Sequence, residues 1–262
     1  MGTIVLTGAA GLVATAVREP LRRAATRLIL VDRAPLTAEA PQEEIRQADL
    51  SSVEAVASII EGADVVVHLA GVRDEAPLPT LLEANVLGAH HVLEAARRTG
   101  VPRVVLASSN RLTGLYPATR TVSPDEPPRP DGLYGVSKVA VEALGRLYAD
   151  KFGLEVVCLR IGSLEPRPTE ARHLATWVSP RDCAGFVLAA ISRPGIHFAA
   201  VYAVSANTHG FWQLSDEIGY TPQDDAESYG IPGADAFFTD DMPQGGDFAT
   251  PAYTITHGGL DT

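Results

Sequence analysis

The first fourteen residues narrow the possible folds more than any other feature. Thr3-Ile-Val-Leu-Thr7 is a β-branched, continuously apolar run, and Gly8-Ala-Ala-Gly11-Leu-Val-Ala14 follows at once. The run reads as a strand buried on both faces of a parallel sheet. The G-x-x-G-x-x-A segment reads as a strand-to-helix turn. In it Gly8 allows the tight turn, Gly11 allows close approach of a pyrophosphate, and Ala14 allows close helix–sheet packing. The first residues of the helix, Leu12 and Val13, then border the phosphates.

The same alternation continues along the chain. Short apolar runs recur at Thr3–Thr7, Arg27–Val31, Glu44–Ala48, Val65–Leu69, Val104–Ala107, Val156–Arg160 and Ala200–Val204. Between them lie helical patterns that include Leu12–Arg23, Val53–Ile60, Leu81–Thr99 and Tyr134–Phe152. This order predicts an α/β fold, a doubly wound parallel sheet of the Rossmann type. Ser123–Pro130, with four prolines in eight residues, predicts a stiff extended loop. From about Asn207 onward the periodicity fades, which predicts a small irregular C-terminal cap. We expect one Rossmann-type domain over 1–262, with 1–160 mainly binding cofactor and 161–262 contributing the substrate cap.

Ligands of open α/β sheets bind at the C-terminal strand ends. Asp32 closes the second run, 24 residues after Gly8, at the spacing of an acid that binds the adenosine ribose. A carboxylate there repels a 2′-phosphate and favours NAD over NADP, although Arg33 stands beside it. Asp49 and Leu50 follow the third run at the expected adenine edge. Leu69-Ala70-Gly71 ends the fourth, where small residues admit the cofactor. Asn85, early in the next helix, supports the catalytic helix or the cofactor site. Ile161 ends the sixth run.

The fifth run ends in Ser108-Ser109-Asn110, and after the proline-rich loop comes Tyr134-Gly-Val-Ser-Lys138. An i,i+4 spacing puts Tyr134 and Lys138 on one helix face. A phenol with a pKa near 10 is a poor base. A nearby ammonium and an oxidised nicotinamide both favour the phenolate, so its pKa is expected to fall. Ser109 would hold the reacting oxygen toward Tyr134. Lysine is rare in this chain: Lys138 is one of only two among 21 cationic residues.

Other classes are disfavoured. The net charge of −11 repels phosphate backbones, so nucleic acid is not an expected partner. Cys158 and Cys183 make no disulfide framework and match no zinc spacing, and no metal site is expected. No run approaches a membrane span, the N-terminus reads as a strand and not a signal peptide, and the expected compartment is cytoplasmic. His90-His91 lies in a helical pattern and reads as packing or surface. A homo-oligomer is allowed but not specified.

Taken together, T-G-A-A-G-L-V-A, Asp32, Asp49-Leu50, L-A-G, S-S-N and Y-G-V-S-K resemble the extended short-chain dehydrogenase/reductase (NAD-dependent epimerase/dehydratase) family. Arg129–Lys138, Asp150–Gly153, Arg160–Ser163, Ala175–Trp177, Ser205–Asn207 and Gln244–Gly246 resemble its bacterial uronate dehydrogenase group most closely. That resemblance implies NAD-dependent oxidation of the C1 hydroxyl of a cyclic hexuronic acid to an aldarolactone. Tyr134 would be the base, with Lys138 as its partner. Ser109 and Asn110 would bond the sugar near C1, and Ser163 and Arg172 its distal end. Arg172 would be the carboxylate clamp, since an acid sugar calls for a bidentate cation.

Ala14 stands in place of the third fingerprint glycine, and two positions at the expected sugar site also depart from the group. Arg111 stands where a histidine is common, and Arg73 where a serine is. Both would either strengthen binding of an acidic sugar or pair with Asp74, Glu75 or the acidic loop. A sugar-nucleotide epimerase or dehydratase that retains NAD, and a non-catalytic dinucleotide-binding protein, stay open as alternatives.

Overall fold

The structure is a computed structural model and describes residues 1–260. The chain runs β1 (Thr3–Thr7), α1 (Leu12–Ala24), β2 (Arg27–Asp32), β3 (Glu43–Gln47), α2 (Val53–Ile60) and β4 (Val65–His68). It continues through α3 (Leu78–Leu81), a π-helical turn (Leu82–Leu87), α4 (Gly88–Thr99), β5 (Arg103–Ser109), α5 (Leu133–Phe152) and β6 (Glu155–Ile161). Next come β7 (Ser163–Leu164), α6 (His173–Thr176), β8 (Trp177–Val178), α7 (Pro180–Ser192) and β9 (Phe198–Ala203). Two short helices, α8 (Ala234–Phe237) and α9 (Pro251–Gly258), lie in the C-terminal segment.

Seven strands form one parallel sheet in the order β3-β2-β1-β4-β5-β6-β9. The order reverses between β1 and β4, so the loops after these strands diverge and open a crevice at their C-terminal ends. Alternate residues of a strand face opposite sides, and β1 shows the consequence. Ile4 and Leu6 pack with Val17 and Leu21 of α1 and Phe186 and Val187 of α7. Val5 packs on the other face with Val56 and Ile60 of α2, Val92 and Leu93 of α4, and Val141 of α5. Both faces are dry, which is why the strands read as unbroken apolar runs.

Helix ends follow local chemistry. Ser52 and Ser179 cap α2 and α7 by accepting Ala55 N–H at 3.2 Å and Asp182 N–H at 3.0 Å. By contrast α1 begins at Gly11 with no side-chain cap, and Arg22 and Arg23 sit in its last turn. Its first N–H groups therefore remain available to an anion.

Three features differ from the sequence expectation. The helix expected over 81–99 starts at Leu78 and contains the π-helical turn, a local widening that period counting does not register. α7 and the pair β7–β8 were not anticipated. The C-terminal segment is irregular but ordered by a third apolar cluster in which Trp212 stacks on Tyr202 at 5.0 Å. Among the described residues no helix is long and apolar enough to cross a membrane.

Candidate active site

Two adjoining cavities, of about 290 and about 500 Å³, lie along the C-terminal strand ends and share Gly8, Gly11, Leu69, Gly71 and Val72. The larger is an elongated groove that leads away over β2 and β3 and includes Asp32, Asp49, Leu50 and Ala70. The smaller adds Leu12, Val13, Tyr134, Lys138 and Ile161, together with Ser109, Asn110, Arg111, Arg73, Ser163 and Arg172. Every expected site residue except Asn85 thus lines one of the two.

The groove fits a dinucleotide on its own geometry. Gly8 has φ +71°, and a Cβ there would lie 2.5 Å from the backbone nitrogen of Ala70. Only glycine lets the turn pass between the β1 and β4 ends. The uncapped start of α1 then faces the groove. Asp32 accepts N–H groups from Ala10 and Ala34, both at 2.9 Å, which fixes its carboxylate at the end of β2. His91, read from sequence as packing or surface, forms part of the groove wall and bonds the Leu50 carbonyl at 2.7 Å.

Asn85 is corrected as a groove residue. It is buried, with its amide oxygen accepting Val72 N–H at 2.7 Å and its amide nitrogen donating to Val72 O at 3.1 Å and Ser137 Oγ at 2.9 Å. Ser137 Oγ in turn donates to Tyr134 O at 2.7 Å. Asn85 therefore ties the groove loop to the helix that carries Tyr134, the supporting role also considered from sequence.

Tyr134 and Lys138 are both buried on one face of α5. Lys138 Nζ lies 5.6 Å from the Tyr134 ring centre and donates to the Ala107 carbonyl at 2.9 Å. Burial pushes the Tyr134 phenol up to about 12, against the pull of the Ser109 hydroxyl and the Arg111 charge. Burial likewise lowers Lys138 to about 8. In the ligand-free chain the phenol is therefore protonated. Desolvation outweighs the cationic neighbours that the sequence suggested would lower it.

The same cavity is lined by Arg172 and Ser163. Arg172 Nη2 donates to Ser163 Oγ at 3.2 Å, and the Ser163 hydroxyl pairs with Thr176 at 2.8 Å. One carboxylate, Glu170, lies 3.4 Å from Arg172 Nε and is mostly exposed. The Arg172 guanidinium is held 4.9 Å above the Phe248 ring.

Of the two readings of Arg111, the structure shows the ion pair. Its guanidinium meets Asp131 at 2.8 Å, Asp74 at 2.7 Å and Glu75 at 3.3 Å, so its donors are already engaged although it lines the cleft. Arg73 is exposed at the cleft and has no carboxylate partner among the described residues. Asp74 and Glu75 are the partners that the sequence suggested for Arg111, whereas Asp131 and Phe248 were not foreseen. The latter two lie in irregular segments where spacing carries no signal. Trp177 is core, bonding the Glu165 carbonyl at 2.9 Å.

Fold and site together define the class: a doubly wound dinucleotide fold with a tyrosine, a lysine and a serine lining the cavity that adjoins its groove. The chain belongs to the NAD dependent epimerase/dehydratase family, whose pattern matches residues 4–182. It is 42% identical over 231 residues to a uronate dehydrogenase of Agrobacterium fabrum, covering 87% of each chain. It is also similar to the crystal structure of uronate dehydrogenase from Agrobacterium tumefaciens, with a TM-score of 0.89, 39% identity and coverage of 97% of this chain and 99% of that one. A mutant of that enzyme complexed with NAD gives a TM-score of 0.87 at 39% identity, covering 95% and 97%.

Proposed function

We propose that this protein oxidises the C1 hydroxyl of a cyclic hexuronic acid, D-glucuronate or D-galacturonate, to the aldarolactone with NAD. The observation that carries it is that Arg172 and Ser163 line the same cavity of about 290 Å³ as Tyr134, Lys138 and Ser109. A cation and an acid–base group in one small cavity suit a small acid sugar. The likeness to uronate dehydrogenases over nearly the whole chain supports the same substrate class.

Gly8, Gly11, Leu12 and Val13 would hold the pyrophosphate, Asp32 the adenosine ribose, and Asp49, Leu50, Leu69, Ala70 and Gly71 the adenine side of the groove. Ile161, Tyr134 and Lys138 would border the nicotinamide ribose. Bound NAD supplies the hydride acceptor. Ser109 and Asn110 bond the sugar oxygens at C1, and Tyr134 Oη takes the hydroxyl proton as C1 loses hydride. Lys138 stabilises the phenolate that precedes this transfer. Arg172, with Ser163, clamps the carboxylate through charge-assisted hydrogen bonds. Residues 1–160 mainly serve the cofactor, and 161–262 supply the clamp and cap.

Replacing Tyr134 by Phe tests the assignment. We expect kcat to fall by roughly 10²- to 10⁴-fold, with NAD binding retained in a fluorescence titration. Near-normal turnover would overturn Tyr134 as the base.

A further inference from the structure

Arg111 occupies a position that neither cofactor nor substrate binding explains. Its guanidinium carbon lies 5.2 Å from the centre of the Tyr134 ring, on which Lys138 Nζ also bears at 5.6 Å. Phe248 and Tyr253 pack under the same guanidinium, at 4.6 and 5.7 Å. Arginine keeps its charge at every working pH, whereas the histidine common at this place in the resembling group does not. Beside Lys138, the active tyrosine of this chain therefore sees a second cation, one that does not titrate.

The cation is held by carboxylates from separate segments. Asp74 and Glu75 come from the loop after β4 and Asp131 from the approach to α5. Asp74 is further fixed by Tyr253 of α9, whose hydroxyl donates to it at 2.8 Å. Glu75 is fully buried and caps α5, accepting Leu133 N–H at 2.7 Å and Tyr134 N–H at 3.2 Å. Gly132 makes room for it, because a Cβ there would lie 2.5 Å from Glu75 Oε2. Asp131 is also buried, and its Oδ2 has no hydrogen-bond partner.

We propose that Arg111 is a positioning residue for Tyr134: a guanidinium laid on the phenol ring that favours the phenolate, with Asp74 moderating its charge. The proposal rests on reading Tyr134 as the base. The charged and titratable groups around the phenol are Lys138 on its own helix, Arg111 after β5, Asp74 and Glu75 after β4, and Asp131 before α5. Tyr253 on α9 and Arg172 with Glu170 after β6 complete the set. Removing Arg111 withdraws positive charge and disfavours the phenolate. Neutralising Asp74 withdraws negative charge and favours it. A purely structural role predicts no such opposition of sign.

The test compares Arg111→Gln, Arg111→Lys and Asp74→Asn with the wild-type chain, reading the acidic limb of the kcat profile on D-glucuronate. The ¹³Cζ resonance of Tyr134 in the NAD complex, assigned by its loss in Tyr134→Phe, is titrated in parallel and reads ionisation without turnover. We expect Arg111→Gln to move the midpoint up by roughly one pH unit or more. Arg111→Lys should recover most of that shift. Asp74→Asn should move it down by roughly half a unit, less because Asp74 is half exposed. Should Arg111→Gln fail to fold, Asp74→Asn and Arg111→Lys still decide the question. Midpoints that stay in place, or shift with the same sign for Arg111→Gln and Asp74→Asn, would overturn the proposal. Turnover surviving in Tyr134→Phe would instead remove the base assignment, while the resonance titration still reports whether Arg111 acts on the phenol.

Discussion

The buried carboxylate of Glu75 accepts the backbone N–H of Tyr134 at 3.2 Å, from 59 residues upstream. The first turn of α5 thus takes its cap from the loop beside the cofactor groove and not from its own sequence. Glu75→Ala would leave the Leu133 and Tyr134 N–H groups without that partner and take one of three carboxylates from Arg111. We expect a loss of about 2 kcal/mol in urea unfolding. Glu75→Gln, which keeps an acceptor, should recover at least half of it. A loss below about 0.5 kcal/mol would mean that water replaces the cap.

The role of Arg172 predicts a split between kinetic constants. Arg172→Met removes the cation from the cavity shared with Tyr134 while preserving its stacking bulk over Phe248. KM for a uronate should rise roughly 10- to 100-fold, the range expected for lost charge-assisted bonds. Activity on the neutral parent sugar should change little. Equal losses on both sugars would show Arg172 to be structural.

Lys138 sets the alkaline limit. Burial holds its ammonium down to about 8, so the free protein loses this charge as pH rises through that value. An exposed lysine would keep it to about 10.4. With that cation gone, only Arg111 and the Ser109 hydroxyl oppose the effect of burial on the Tyr134 phenol, and kcat/KM should decline above about pH 8. A profile that keeps rising to pH 10 would contradict this.

His68 makes a stability prediction. It is fully buried, its Nδ1 bonds Thr7 Oγ1 at 2.7 Å, and burial lowers it to about 3, with the Lys138 charge adding to the effect. The unfolded chain takes up a proton below about 6.5 that the folded chain refuses until about 3, so acid destabilises the fold. Between pH 7 and pH 5 this group alone should cost roughly 2 kcal/mol. His68→Gln should flatten that part of the urea-midpoint profile, and an unchanged slope would assign the acid sensitivity elsewhere.

What the sequence disclosed follows from how each feature is encoded. β1 and α2 were legible to the residue because an unbroken apolar run and a helical apolar spacing are local signals. Gly8, Asp32, Ser109, Tyr134 and Lys138 were legible because strand ends and an i,i+4 helix face fix where side chains go. Asp131, Phe248 and Tyr253 were not. They reach Arg111 across as many as 142 positions through irregular chain, and no period links them. The π-helical turn was also hidden, since one extra residue per turn leaves the apolar pattern almost unchanged. α7 was overlooked because its buried residues, Cys183 through Ile191, wrap more than one face.

Carboxylate recognition by an NAD-linked dehydrogenase is most directly tested by measuring NADH formation with D-glucuronate and D-galacturonate beside D-glucose and D-galactose. The account predicts turnover on at least one uronate, with kcat/KM at least roughly tenfold above its neutral parent, equivalent to about 1.4 kcal/mol of discrimination. No turnover on either uronate, or equal turnover on acid and neutral sugars, would contradict it.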